Sequence, residues 1–303
     1  MELLKQLCEL FGPSGNETEV KEFILSYVRK HSSSWKVAPE VLHGEEFQDC
    51  IILAFGKPRT AIFAHMDTVG FTVRYQDQLV AIGGPGAKSG YRLVGHDTLG
   101  PIACTLEVNK ENQLFYNFGR AIDTGTNLVY QCDFKETQDH VTSCYLDNRL
   151  GVYSALKVAE TLENGAIVFS TWEEHGGGSV PYLARYIFEN WHIRQALISD
   201  ITWITDGVHP GQGVVISMRD RNIPRKTFID KIVALAKQSG VDYQLEVEGN
   251  GSSDGREIQQ SPYPIDWCFI GAAEENVHTP SETVHKHDIQ SMVALYEYLM
   301  KHL

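Results

Sequence analysis

The stretch Ala61-Ile62-Phe63-Ala64-His65-Met66-Asp67 decides how the rest of the chain is read: an apolar run fit for a buried strand gives way to an imidazole and a carboxylate. The same pattern recurs. Glu173-Glu174 follow Ile167-Val168-Phe169-Ser170-Thr171, Asp200 follows Ala196-Leu197-Ile198-Ser199, and His278 comes after Trp267-Cys268-Phe269-Ile270. Asp147-Asn148-Arg149 stands instead ahead of a helical pattern. In open α/β sheets ligands gather at the carboxyl ends of the strands, where groups distant in sequence converge. Two imidazoles and several carboxylates in one cleft describe a metal site, and their number suggests two ions.

Outward from these strands the chain divides by texture. Leu3, Leu4, Leu7 and Leu10 predict a short first helix stopped at Gly12-Pro13. Val20, Phe23, Ile24, Tyr27 and Val28 recur at helical spacing, which predicts a helix over residues 17–31, and Asn16 with Glu19 predicts a capping box at its start. Strands are expected over Cys50 to Phe55 and Ala61 to His65. From Val69 to Val141 no helical period is evident, nine of the 26 glycines fall there, and strand-like alternation appears at Gly70 to Tyr75 and Gln113 to Phe118. The expected organisation is therefore a discontinuous larger domain, residues 1–68 and 142–303, with a small β domain inserted at 69–141. Leu150, Val152, Tyr153, Leu156 and Ala159 open a second part in which strands alternate with helices, and the last helix is expected from about Lys286 to Lys301.

The 303 residues can bury one large core and a smaller one, and 43% hydrophobic with 21% charged residues is the balance of a globular protein. A formal net charge of -13 disfavours nucleic acid and anionic membrane surfaces as partners, both of which would be repelled. Charges break the first residues too early for a signal-peptide core, and no apolar run approaches a membrane span, so the expected location is the cytoplasm. Six cysteines without a Cys-x-x-Cys pair read as reduced thiols, several in apolar runs.

His65, Asp147, Glu174, Asp200 and His278 offer imidazole nitrogen and carboxylate oxygen, the donors that zinc and its neighbours take. Five ligands are too many for one tetrahedral catalytic ion and suit two ions sharing a carboxylate. Asp147, central in chain order and at a helix start, is the best candidate for the bridge. Two such ions would clamp a water, lower its pKa and polarise a substrate carbonyl. The adjacent acids Glu173 and Glu174 invite a division in which one binds metal and the other handles protons. Asp67, two residues past His65, is placed to fix the histidine tautomer as an orienting group. Singly, each residue has a plainer reading: a surface histidine, a solvated loop, a helix cap, a turn former. Their joint occurrence in this order outweighs those readings. His175-Gly176-Gly177-Gly178 resembles an esterase oxyanion string, but no Gly-x-Ser-x-Gly elbow accompanies it. Gly83 to Ser89 resembles a phosphate loop, but Ala87 stands where glycine should precede the lysine, which favours a turn in the inserted domain.

In chain order the motifs GPSGNE (12–17), AHMDTVGF (64–71), LDNRLG (146–151), TWEEHG (171–176), SDIT (199–202) and VHTPSETV (277–284) resemble the tetrahedral, or glutamyl, aminopeptidase family of dinuclear metallopeptidases across almost the whole chain. The resemblance implies a zinc-peptidase-like α/β catalytic domain with a mixed sheet and a β-barrel-like insert that helps build homo-oligomers, from dimer to dodecamer. It implies one ion on His65 and Asp200, another on Glu174 and His278, Asp147 bridging, and Glu173 as general base. The ions would be zinc, with cobalt or manganese as alternatives. The activity implied is removal of the first residue of peptides, a metal-bound hydroxide attacking the carbonyl. Asp254 matches a substrate-side loop of the family. Trp172, His175 and Trp203 depart from the family pattern beside the site and bear on substrate preference. A dinuclear deacylase or carboxypeptidase-like amidohydrolase remains the alternative, with a non-catalytic metal-stabilised assembly module behind it.

Overall fold

A computed structural model describes residues 1–303. Its centre is four parallel strands, Gly165–Ser170, Ala61–His65, Gln195–Trp203 and Asp266–Glu275, in that spatial order. The sheet is mixed: Gln48–Phe55 pairs antiparallel outside Gly165–Ser170, and Glu282–His285 pairs antiparallel with Asp266–Glu275. The central strands are apolar without interruption because both faces are covered. Alternation splits each run between two cores. Ile62, Ala64, Ile167, Phe169, Leu197 and Ile270 join a core shared with helices Glu2–Glu9, Thr18–His31, Leu146–Ala159, Lys226–Ser239 and Lys286–His302. Ala61, Phe63, Val168, Ile198 and Phe269 face the opposite core, under helices Val180–Trp191 and Asp254–Gln260.

Between Ala61–His65 and the helix at Leu146 the chain leaves the sheet and forms a closed six-stranded barrel from Gly70–Val73, Gln78–Ile82, Arg92–Asp97, Gly100–Val108, Leu114–Asn117 and Asn127–Tyr130. The barrel has a core of its own around Phe71, Leu93, Leu106, Leu128 and Tyr130. Strands Lys135–Glu136 and His140–Ser143 return to the large sheet, the second pairing with Glu282–His285.

Two local expectations are corrected. The helix Thr18–His31 starts without a capping box: Glu17 is its N-cap residue and makes no side-chain cap bond. Asn16 instead bonds Asn127 on the barrel, and Glu19 accepts from the Phe11 N–H. Tertiary partners outcompeted the local pairing. Asp200 lies inside its strand rather than beyond it, because pairing with Asp266–Glu275 continues to Trp203 opposite Glu274. Its side chain therefore shares a sheet face with Ile198 and Thr202.

Candidate active site

His65 closes its strand opposite Ser170, so the turn Glu173–His175 that follows Ser170 in sequence comes down beside it. Asp67 fixes that turn. Its Oδ1 accepts the Glu173 N–H at 3.1 Å and its Oδ2 the Glu174 N–H at 3.1 Å, while the Ser14 hydroxyl donates to Oδ2 at 2.5 Å. Asp67 also lies 3.5 Å from His65 Nδ1 through its carboxylate, and 3.2 Å through its own carbonyl.

Asp147 sits where the chain enters the helix Leu146–Ala159, with φ and ψ outside the helical region. Capping there falls to Asn148, whose Oδ1 accepts from Gly151 N–H at 2.9 Å and whose amide donates to the Ser199 carbonyl at 2.8 Å. The Asp147 carboxylate is left for the cleft. His278 has φ +62, a left-handed conformation that costs a non-glycine residue about 1 to 3 kcal/mol. Four contacts hold it: its N–H donates to Glu282 at 2.9 Å, its Nδ1 meets the Gly84 carbonyl at 3.0 Å, and its carbonyl accepts from Gly86 N–H and the Tyr130 hydroxyl. Glu282 also accepts the Asp147 N–H at 3.2 Å.

The result is two groups of ligand atoms, His65-Asp147-Asp200 and Asp147-Glu174-His278, joined at Asp147. His65 Nε2 lies 3.4 Å from Asp147 Oδ1 and 3.6 Å from Asp200, and His278 Nε2 lies 3.1 Å from Asp147 Oδ2 and 3.1 Å from Glu174. Each oxygen of Asp147 thus faces a different histidine. Glu173 belongs to neither group, with its carboxylate 4.0 Å from His65 Nε2. Asp254 is 1% exposed, donated to by the Ser170 hydroxyl, and does not line the cavity.

Electrostatics reflect so many acids in little water. Burial alone would lower the His65 pKa, but Asp200, Asp147 and Asp67 raise it well above the usual value. At His278 burial is likewise overcome by hydrogen bonds to Asp147 and Glu174, to about 12. Burial pushes Glu174 up to about 7 and Glu173 well above the carboxylate range, whereas His278 and His65 outweigh burial at Asp147 and hold it low. Glu174 Oε1 is buried with no hydrogen-bond partner. Converging nitrogen and oxygen donors, an excess of carboxylates and an orphaned ligand oxygen are what divalent cations would satisfy.

Sequence reasoning missed Glu282, Asn148 and the glycine loop at 83–86. Glu282 was inside a quoted motif, but nothing local shows that it would hold two site residues by their backbones. The loop read as a barrel turn, and its Gly83 N–H donates to His175 Nδ1 at 3.0 Å while Gly84 holds His278.

Two joined groups of nitrogen and oxygen donors at the carboxyl ends of parallel strands have the form of a metal site. A family description, M42 glutamyl aminopeptidase, matches residues 117–295. The chain belongs to the M42 glutamyl aminopeptidase family and is a hydrolase acting on peptide bonds. It is 27% identical to a relative from Acetivibrio thermocellus whose name contains the word aminopeptidase, over 97% of this chain and 96% of that one. The fold is similar to that of an aminopeptidase from Desulfurococcus kamchatkensis, with a TM-score of 0.88 and 21% identity over 100% of this chain and 94% of the other. It is also similar to the TET1 peptidase of Pyrococcus horikoshii, which can assemble into a tetrahedron or a large octahedral shell, with a TM-score of 0.82 and 20% identity over 99% and 98%.

Proposed function

We propose that the chain removes the amino-terminal residue of peptides in a dinuclear site. His65 and Asp200 would hold one divalent cation, Glu174 and His278 the other, and Asp147 both. The observation that carries this reading is the sharing of Asp147 by two ligand groups with one acid, Glu173, left over beside them. Bound there, the cations supply Lewis acidity and a water of lowered pKa.

The rest falls to the side chains. Glu173 takes the proton of the attacking water on its carboxylate and returns it to the leaving amine nitrogen. Asp67, by holding the N–H groups of Glu173 and Glu174, sets the base and a ligand in one frame and orients the His65 ring. His278 is held from the barrel side by Gly84 and Gly86, so the inserted barrel takes part in forming the site. Zinc is the favoured metal, with cobalt and manganese next, because imidazole nitrogen and carboxylate oxygen are the donors of catalytic zinc sites.

The protein is proposed to act as a homo-oligomer, as its structural relative from Pyrococcus horikoshii does, with the barrel contributing contacts. Tyr75, Val80 and Leu99 on the barrel are 56%, 50% and 71% exposed, apolar surface suited to burial between copies. A screen of aminoacyl anilides against N-acyl amino acids, with zinc, cobalt or manganese and chelator controls, tests the activity. Cleavage of the N-acyl series alone would replace the aminopeptidase by an amidohydrolase.

A further inference from the structure

The cavity that opens from the metal ligands has a volume of about 260 Å³ and continues past them to a second acidic end. Asp220, Glu246 and Glu248 line that end, and no lysine or arginine lines any part of the cavity. We propose that this end receives the side chain of the first substrate residue and selects lysine or arginine. The proposal rests on the aminopeptidase reading and names its substrate class.

Position supports it. Asp200 and Thr202 lie on one face of the same strand, two residues and therefore about 6.6 to 6.8 Å apart. The Thr202 hydroxyl donates to Glu246 at 2.5 Å, which sets a carboxylate against the next residue on the Asp200 face of the strand. A lysine side chain spans about 6 Å from Cα to Nζ, comparable with that two-residue step along the strand.

The walls match the stem of such a side chain. Trp203, 40% exposed, and Phe269 line the cavity and offer apolar cover for methylene groups, while the charged head reaches the acids. The Trp203 ring lies beside Gly251, within ordinary contact distance of where a Cβ would stand.

Arg219 is the one basic side chain that acts on Asp220, and it does not line the cavity. Asp220 is 7% exposed; its Oδ1 accepts from Asn222, but its Oδ2 is buried without a hydrogen-bond partner. Burial raises the carboxyl pKa of both Asp220 and Glu246, a cost that a cationic guest would offset. Two divalent cations at the other end would compensate Asp147, Glu173, Glu174 and Asp200 and leave these three carboxylates over. A glutamate side chain would meet only like charge there, so the proposed preference is opposite in sign to the family's description.

The test compares zinc-loaded enzyme on the p-nitroanilides of lysine, arginine, leucine and glutamate, with calorimetric binding of the products L-lysine and L-norleucine. Lysine or arginine should exceed leucine by about tenfold or more in kcat/KM, glutamate should be poorest, and L-lysine should bind about tenfold or more tighter than L-norleucine, which carries the same four side-chain carbons without the terminal ammonium. Glu246→Gln and Asp220→Asn should each narrow the lysine-to-leucine ratio and the lysine-to-norleucine ratio severalfold. Preference for leucine or glutamate, or equal binding of the two products, overturns the pocket assignment. If no anilide is cleaved but L-lysine still binds selectively, the aminopeptidase reading falls and the cation pocket stands.

Discussion

The Asp67 carboxylate accepts the backbone N–H of Glu173 on one oxygen and of Glu174 on the other, both at 3.1 Å. One side chain therefore locks the proposed base and a proposed ligand to the strand end that carries His65. Asp67→Ala should lower both metal affinity and kcat/KM, each by about 10- to 100-fold, since it disturbs the support of several groups at once. Zinc competition titrations beside steady-state kinetics check this; a change in kinetics with metal affinity intact would reduce Asp67 to a partner of the base alone.

Asp147→Ala should lower occupancy at both ion positions, because each Asp147 oxygen faces a different histidine and its loss also leaves two cations with less negative charge between them. Asp200→Ala and His278→Ala should each weaken mainly one position. Metal stoichiometry of the three purified variants separates these cases, and wild-type binding of two ions by Asp147→Ala would remove the bridge.

Glu173→Gln keeps the shape of the side chain and belongs to neither ligand group. It should retain both ions while losing about 10² to 10⁴ in kcat, the usual worth of a positioned proton carrier. Turnover near wild type would send the base assignment elsewhere.

Without metal, His65 and His278 are held protonated by the carboxylates around them. Uptake of a cation must then release those protons, so apparent metal affinity should rise with pH and fall on acidification. Proton release can be counted by calorimetry in buffers of different ionisation enthalpy. Activity that stays flat down to about pH 4, below ordinary histidine and near ordinary carboxylate values, would contradict histidine ligation.

Gly151 lies where any side chain would collide, since a Cβ there would stand 2.2 Å from Asn148 Oδ1 and 2.2 Å from the Ser199 carbonyl. Gly151→Ala should cost about 1 to 3 kcal/mol in stability, read from the urea midpoint. By displacing Asn148 it should also weaken metal binding through Asp147. A variant as stable as wild type would show that the helix shifts freely at this point.

The strand Ala61–His65, the helices Thr18–His31 and Lys286–His302, and the change of texture in the glycine-rich middle were legible from residue order, because periodicity and apolar run length are local properties. The five candidate ligands and Glu173 were singled out on the same local ground, each standing at or near the end of an apolar run or at a helix entry, and the fold brings the five into two joined groups. Other features depended on chain segments meeting. Helix capping passed from Asn16 and Glu19 to contacts with the barrel and the first loop. Asp200 moved inside its strand because a longer neighbour extended the pairing. Glu282 and Gly84 reach His278 from 4 and 194 residues away, and neither has a local signature of that role. The second acidic end of the cavity joins Thr202 to Glu246 across 44 residues. The sequence alone determined which chemistry was present, because donor type belongs to the residue; only the tertiary structure decided which donors share an ion or a pocket, because distance belongs to the fold.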